Sequence, residues 1–254
     1  MELTFVGGTE SADAALVAER IGATPEYEAL PVELGFHCEP RGIPDLLEGR
    51  ISLAGFRDAI GERWWTGRLE RIATPRLLDA ALERFAAGYE RDPVGSCRRL
   101  FLDLVTPFAE RAGKPGLVER SAGNLVHAPT LDRVFAEARF VHAVRDGREV
   151  AARRGEAGTP GELLAGVERW AEGVREIDAG VRVREEGATY GVWPERLSVE
   201  LLTDDGPKEG WARGLSRRER RRVTRRYNRT LRELAEEGVH CAPALLEARD
   251  RHES

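Results

Sequence analysis

The residues with the most chemical content come first in the chain. Leu3-Thr4-Phe5-Val6 reads as a short buried strand, Gly7-Gly8-Thr9 as a tight turn, and Ser11 to Ile21 as a helix. A strand, a glycine turn and a helix N-terminus together frame a phosphate-binding loop, because free backbone N–H groups and the positive end of the helix dipole converge on an anion. The loop continues as Glu10-Ser11-Ala12-Asp13, with no Lys or Arg and with two carboxylates where an anion would sit. Glu10 and Asp13 also suit the start of a helix, where they complement its dipole. Each would repel a bound dianion by about 1 to 4 kcal/mol per close pair, depending on the effective dielectric. A second cluster is Arg145-Asp146-Gly147-Arg148. Its two arginines flank the turn after the clearest strand, which is where ligands bind in open α/β sheets. Asp146 is expected to cap the helix that follows.

Two dipeptides, His37-Cys38 and His240-Cys241, invite a metal reading. Neither has chelating spacing, and they lie far apart in the chain, so no metal is expected. His142, inside an apolar run, is expected to be a satisfied core histidine. Arg217 to Arg226 carries seven arginines distributed all round a helix, followed by Glu233, Glu236 and Glu237. That pattern fits a solvated helix better than a nucleic-acid stripe.

Strands and helices must alternate to position these groups. Tyr27 to Phe36 reads as extended. Helical spacing covers Pro44–Glu48, Leu53–Trp65, Pro75–Ala87 and Gly95–Arg111. Gly116–Glu119 and Arg139–Val144 read as strands, with a turn over Asn124–Pro129. Helices are expected over Gly147–Arg154 and Leu163–Ile177, then a last strand over Val192–Leu202. Gly155–Gly161 and Asp204–Gly210 read as loops. A long helix covers Ser216–Glu237, where Ser216 and Glu219 form a capping box. The expected fold is α/β in three layers, a central parallel sheet flanked by helices. It is expected as a single domain over residues 1–254, with a C-terminal helical segment over 215–254.

Composition narrows the class. The chain has 254 residues, 41% of them hydrophobic, enough for one sizeable core. A formal charge of −5 gives no bulk attraction to nucleic acid or anionic membrane. No apolar run approaches the ~20 residues of a membrane span, and no signal peptide is visible, so a cytoplasmic protein is expected. Three scattered cysteines fit reduced thiols. The basic residues are nearly all Arg, with Lys only at 114 and 208. Arginine is thus abundant, and its absence from the first loop is not a compositional accident.

Three segments carry a resemblance. Phe5-Val6-Gly7-Gly8-Thr9, Val118-Glu119-Arg120-Ser121-Ala122-Gly123-Asn124 and Phe140 to Val150 resemble, in order and spacing, the motifs of the bacterial sulfotransferase family. That family uses 3′-phosphoadenosine 5′-phosphosulfate (PAPS) and has a P-loop-type α/β fold. Further matches are Val32 to His37 with Gly42 to Leu47, Trp64-Trp65 and Trp170, with a looser match at Trp211–Gly238. The resemblance implies transfer of a sulfuryl group from PAPS to a small hydroxyl or amine acceptor, leaving PAP. It implies no nucleic-acid or membrane partner. It places Glu33 and Arg120 in catalysis, Glu33 as the base. It places Gly7, Gly8, Thr9, Ser11, Arg145 and Arg153 against the cofactor. Phe36, His37, Trp64, Trp65 and Asn124 would form the acceptor pocket.

The departures are concentrated in the first loop. The family pattern Gly-Gly-Thr-Gly-Arg-Ser-Gly-Thr-Thr is here Gly7-Gly8-Thr9-Glu10-Ser11-Ala12-Asp13-Ala14-Ala15, so Ser11 stands at the basic position. Arg153 stands where the family has a 3′-phosphate-binding Ser. The loop chemistry thus points to a second possibility, a sulfotransferase-fold protein that has lost PAPS use. Such a protein would either be repurposed for a small metabolite or act as a non-catalytic binding partner.

Overall fold

A computed structural model describes residues 1–154, 159–182, 184–185, 188–189, 196–202 and 210–253. Its centre is a five-stranded sheet in the order β2-β3-β1-β4-β7, formed by β1 (Glu2–Gly8), β2 (Tyr27–Ala29), β3 (Gly116–Arg120), β4 (Arg139–Arg145) and β7 (Leu197–Leu202). Every pairing is parallel: Phe5 lies opposite Glu119 on one side and Phe140 on the other, and His142 opposite Val199. The two-residue strands β5 (Arg184–Glu185) and β6 (Ala188–Thr189) form a separate antiparallel pair.

The central strands are apolar on both faces, as a sheet covered on both sides requires. One face sends Val6, Val118, Val141 and Ala143 against Ala14, Val17 and Ala18 of α1 (Ser11–Gly22). The other face sends Leu3, Phe5, Leu117 and Phe140 into the large core. That core is built with α2 (Ile43–Leu47), α3 (Leu53–Trp65), α4 (Pro75–Tyr89), α5 (Pro93–Ala112) and α6 (Ala128–Val134). Further along the same face of β4, Val144 joins a second cluster. This one is formed with α7 (Gly147–Arg153), α8 (Pro160–Val181), α9 (Arg217–Glu236) and α10 (Ala242–Glu253). The three-layer α/β architecture is therefore the one expected. No helix among the described residues is long and apolar enough to cross a membrane.

Helix starts follow local chemistry. Ser52, Thr74, Asp92, Thr159 and Ser216 each accept a backbone N–H of the first turn, and Ser216 and Glu219 complete the capping box. Three sequence expectations need correction. Tyr27 to Phe36 is not one strand: the pairing with β3 covers Tyr27–Ala29, its last bond runs from the Leu30 N–H to the Val118 carbonyl at 2.9 Å, and Gly35 then turns the chain at φ 72°. Gly7 and Gly8 are not a turn but the last residues of β1. A Cβ on Gly8 would collide with the carbonyl oxygen of Ala143, so the residue permits close strand approach. The expected C-terminal helical segment 215–254 is not one long helix alone: after α9 ends at Glu236, a separate helix α10 follows over Ala242–Glu253. Residues 155–158, 192–195 and 204–209, which fall within expected loops and the start of the last strand, lie outside the described residues.

Candidate functional site

The carboxyl ends of β1, β3 and β4 lie side by side, so Gly8, Arg120 and Arg145 reach the same edge of the sheet. This is the expected place for a site in a parallel α/β sheet. The chain turns there through Thr9 and Glu10 into α1. Glu10 occupies the N-cap position but makes no side-chain cap bond. Its carboxylate is instead ion-paired to Arg154, which also donates to the Thr9 carbonyl at 3.4 Å. The side chain of Ser11 lies outside the described residues.

Asp13, in the first turn of α1, is 3% exposed, and Arg145 is 2% exposed. Arg145 Nε donates to Asp13 Oδ1 at 2.8 Å, and Arg153 Nη1 lies 3.8 Å from the same oxygen. Arg145 Nη1 is also 3.7 Å from Glu149. The structure thus assembles the two arginines assigned to the cofactor phosphate, but around a carboxylate of the protein itself. The residues present do not fit PAPS: Asp13 occupies Arg145, the arginine that the resemblance assigns to the 3′-phosphate, and the first loop brings the 5′-phosphosulfate no basic residue, while its Glu10 engages Arg154.

Behind this edge lies a buried polar hub. Glu119 Oε1 accepts from the Leu34 N–H at 3.2 Å and the Ser121 hydroxyl at 2.8 Å. Its Oε2 accepts from Asn124 Nδ2 at 2.8 Å and from His37 Nε2 at 2.9 Å. Asn124 also donates to the Val6 carbonyl at 2.9 Å, and its Oδ1 lies 2.8 Å from His37 Nε2. Both oxygens of Glu119 are therefore saturated. Burial works against its charge, but His37 and the donors outweigh burial and hold the carboxyl below its usual range. Burial likewise opposes charge on His37, but Cys38 and Glu119 beside it raise its pKa well above the histidine norm.

This hub relocates part of the expected acceptor pocket. Phe36, His37 and Asn124 are sealed from solvent, and they brace β1, β3 and the 34–38 turn from behind. Trp64 packs against the core, whereas Trp65 is 87% exposed. Glu33 is placed differently. It is half-buried, and burial and then the nearby charge of Glu119 raise its carboxyl pKa, against the pull of Arg120 and Arg68. Arg120 brings a buried Nε that has no hydrogen-bond partner among the described residues. The two residues expected to be catalytic are thus within electrostatic reach of each other.

Arg148 is a structural residue here. Asp146 caps α7 by accepting the Arg148 N–H at 2.8 Å and also grips its guanidinium, with Nη2 at 2.6 Å. The guanidinium lies 4.7 Å from the ring centre of Trp211 and 4.5 Å from that of Tyr227. Trp211 is therefore buried against α7, while Arg213 is exposed. Gly147 has no room for a Cβ because Trp170 covers it.

His142 departs from expectation. It is fully buried, and its Nδ1 lies 2.9 Å from His240 Nε2, but its Nε2 has no partner among the described residues. Burial, then His240, drives its pKa down to about 3, so the ring is neutral. Sequence reading missed this pairing, and it missed Arg154 and the His37–Glu119 contact. The first and last join residues 98 and 82 apart, and no local periodicity encodes them.

No protein-family model matches the chain. No curated protein matches it either. Among solved structures, it is similar to the sulfotransferase domain from the Synechococcus PCC 7002 olefin synthase, at 17% identity and a TM-score of 0.38. The match covers 79% of this chain and 65% of that one, so the chain spans less than two thirds of the neighbour's length.

Proposed function

We propose that this is a sulfotransferase-like protein whose donor half-site is closed by its own carboxylates, and that it binds a small hydroxyl- or amine-bearing molecule without using PAPS. The observation that carries this reading is the buried Asp13–Arg145 pair at 2.8 Å. Arg145 is the cation best placed for a phosphate at this edge, and a dianion would have to displace a carboxylate already bonded to it. Charge-assisted hydrogen bonds contribute ~1.5–3 kcal/mol each, and the incoming anion must replace that contact while facing Asp13 itself. The ordering of motifs along the chain supports descent of the site from a sulfuryl-transfer scaffold. Glu33 supports a retained acceptor side: a carboxyl of raised pKa beside Arg120 and Arg68 can accept a hydrogen bond or proton from a polar ligand.

Calorimetry with PAP tests the donor half. No binding at millimolar PAP is expected, and micromolar binding by the native chain would overturn this reading in favour of PAPS-dependent transfer to the same acceptor. A ligand-observed NMR screen of small amines and alcohols tests the acceptor half. Hits that disappear in Glu33→Gln support it, and hits indifferent to that change refute it.

A further inference from the structure

A second cluster of donor atoms lies on the face of β4 covered by α8, α9 and α10. His142 projects from the middle of β4, while His240 and Cys241 come from the turn between α9 and α10. One ligand atom from each of the three residues falls within 4.8 Å of the other two. His142 and Cys241 are fully buried, and the side chain of His240 is 12% exposed. From this juxtaposition we propose that His142, His240 and Cys241 form a zinc-class metal site that pins the C-terminal helices to the central sheet.

Three observations carry the proposal. The first is the donor set. Two imidazoles and a thiol suit a borderline-soft divalent ion, and tetrahedral zinc takes such ligands at about 2.0–2.1 Å from nitrogen and about 2.3 Å from sulfur. Those bond lengths place donor atoms about 3.3–3.6 Å apart. The present nitrogen pair, at 2.9 Å, has to part by only a few tenths of an ångström. The sulfur has to close from no more than 4.8 Å.

The second is the orientation of His240. Asp178 on α8 accepts from the His240 backbone N–H at 2.8 Å and from ring Nδ1 at 2.7 Å. With Nδ1 held by a carboxylate, Nε2 carries the lone pair and faces His142. A carboxylate behind a ligating histidine is the usual second contact of metal-bound imidazoles. Arg182 steadies Asp178 at 3.1 Å and also donates to the Gly238 carbonyl of the same turn. The third is the aim of His142. Its Nδ1 faces His240 Nε2 at 2.9 Å inside the core, and no described residue accepts from or donates to its Nε2, so no other contact fixes the tautomer and Nδ1 can offer its lone pair while Nε2 keeps the proton.

The proton balance is simple. Each imidazole binds neutral, giving one lone pair and keeping its proton on the other nitrogen, which for His240 is Nδ1 toward Asp178. The Cys241 S–H bond breaks, sulfur keeps the electron pair for the metal, and one proton leaves to solvent per ion bound. The partly exposed edge of His240 gives a route for that proton and for a water as fourth ligand.

Cobalt(II) added to the chelator-treated chain reads the site directly, because a cobalt–thiolate bond gives a charge-transfer absorption band. The native chain is expected to show that band, and zinc is expected to abolish it by displacement. Cys241→Ala is expected to lose the band. Asp178→Asn is expected to keep it while lowering zinc affinity about 10- to 100-fold. Absence of the band in the native chain overturns the proposal. So does a band that survives in Cys241→Ala, which would assign it to Cys38 or Cys97. Should Cys241→Ala fail to fold, His240→Gln replaces it: loss of the tetrahedral cobalt spectrum supports the site, and an unchanged spectrum overturns it.

Discussion

Asp13→Asn separates the two roles that the first loop combines. The substitution keeps an amide oxygen for Arg145 Nε, 2.8 Å away in the native chain, but removes the negative charge. An anion seated against Arg145 would then face one carboxylate fewer. At a separation of about 4 Å that charge is worth about 1 kcal/mol in a water-like medium and about 4 kcal/mol at an effective dielectric near 20. Asp13 is buried, but Arg153 beside it is half-exposed and brings solvent close. The gain in affinity for PAP should therefore fall between about fivefold and about a thousandfold. Isothermal titration of PAP into native and Asp13→Asn protein measures it, with circular dichroism confirming that the variant folds. The variant should also melt at a lower temperature, since a buried ion pair has been broken. A folded Asp13→Asn that binds PAP no better than the native chain would refute the reasoning. Arg145 would then be a structural cation, and this edge would not be an anion seat at all.

Two further perturbations probe what holds the edge in place. The His37–Glu119 pair should make stability pH-dependent with a defined sign. Glu119 has a depressed pKa, so its contribution is present above the ordinary value of 4.5 and is lost as pH falls through the folded-state value. His37 has a raised pKa, so its contribution is present below the ordinary value of 6.5 and is lost as pH rises through the folded-state value. Guanidinium unfolding midpoints across pH should peak between these values, and Glu119→Gln should flatten the profile; an unflattened profile would show that other groups set it. Arg148→Lys should destabilise by about 2 kcal/mol. Lysine cannot fork onto Asp146 or lie flat between Trp211 and Tyr227, so thermal melting within error of the native chain would contradict that account.

Much of the architecture was legible because it is local. The apolar run of Arg139–Val144 gave β4, and the Ser216–Glu219 box gave the start of α9 to the residue. Leu53–Trp65 was read with its observed ends. What failed was non-local or steric. Nothing in Tyr27–Phe36 alone reveals that pairing with β3 ends at Ala29. Gly7-Gly8 carries a turn signature, yet these glycines serve strand and backbone approach against Ala143 and Leu125. At the site, the charges were legible but their partners were not. Asp13 and Arg145 are 132 residues apart, and only the β1–β4 register puts them in contact. The motif Glu119–Asn124 was visible, yet its spacing cannot tell a catalytic carboxylate from one whose four contacts are all spent on bracing.

That last distinction bears on how the edge came to be closed. A site that binds and releases phosphate leaves its arginine solvated between visits, because a buried cation without a counter-charge is costly. Arg145 is at the opposite limit: at 2% exposure it is sealed from water, so its counter-charge has to be permanent. Asp13 supplies it from the first turn of α1, where the helix dipole also favours a carboxylate. Glu10 does the same for Arg154 at the entrance. Reopening the seat by mutation therefore trades against stability. Asp13→Asn should be the mildest route, and Asp13→Ala a harsher one, because alanine leaves Arg145 Nε without the acceptor that Asp13 provides.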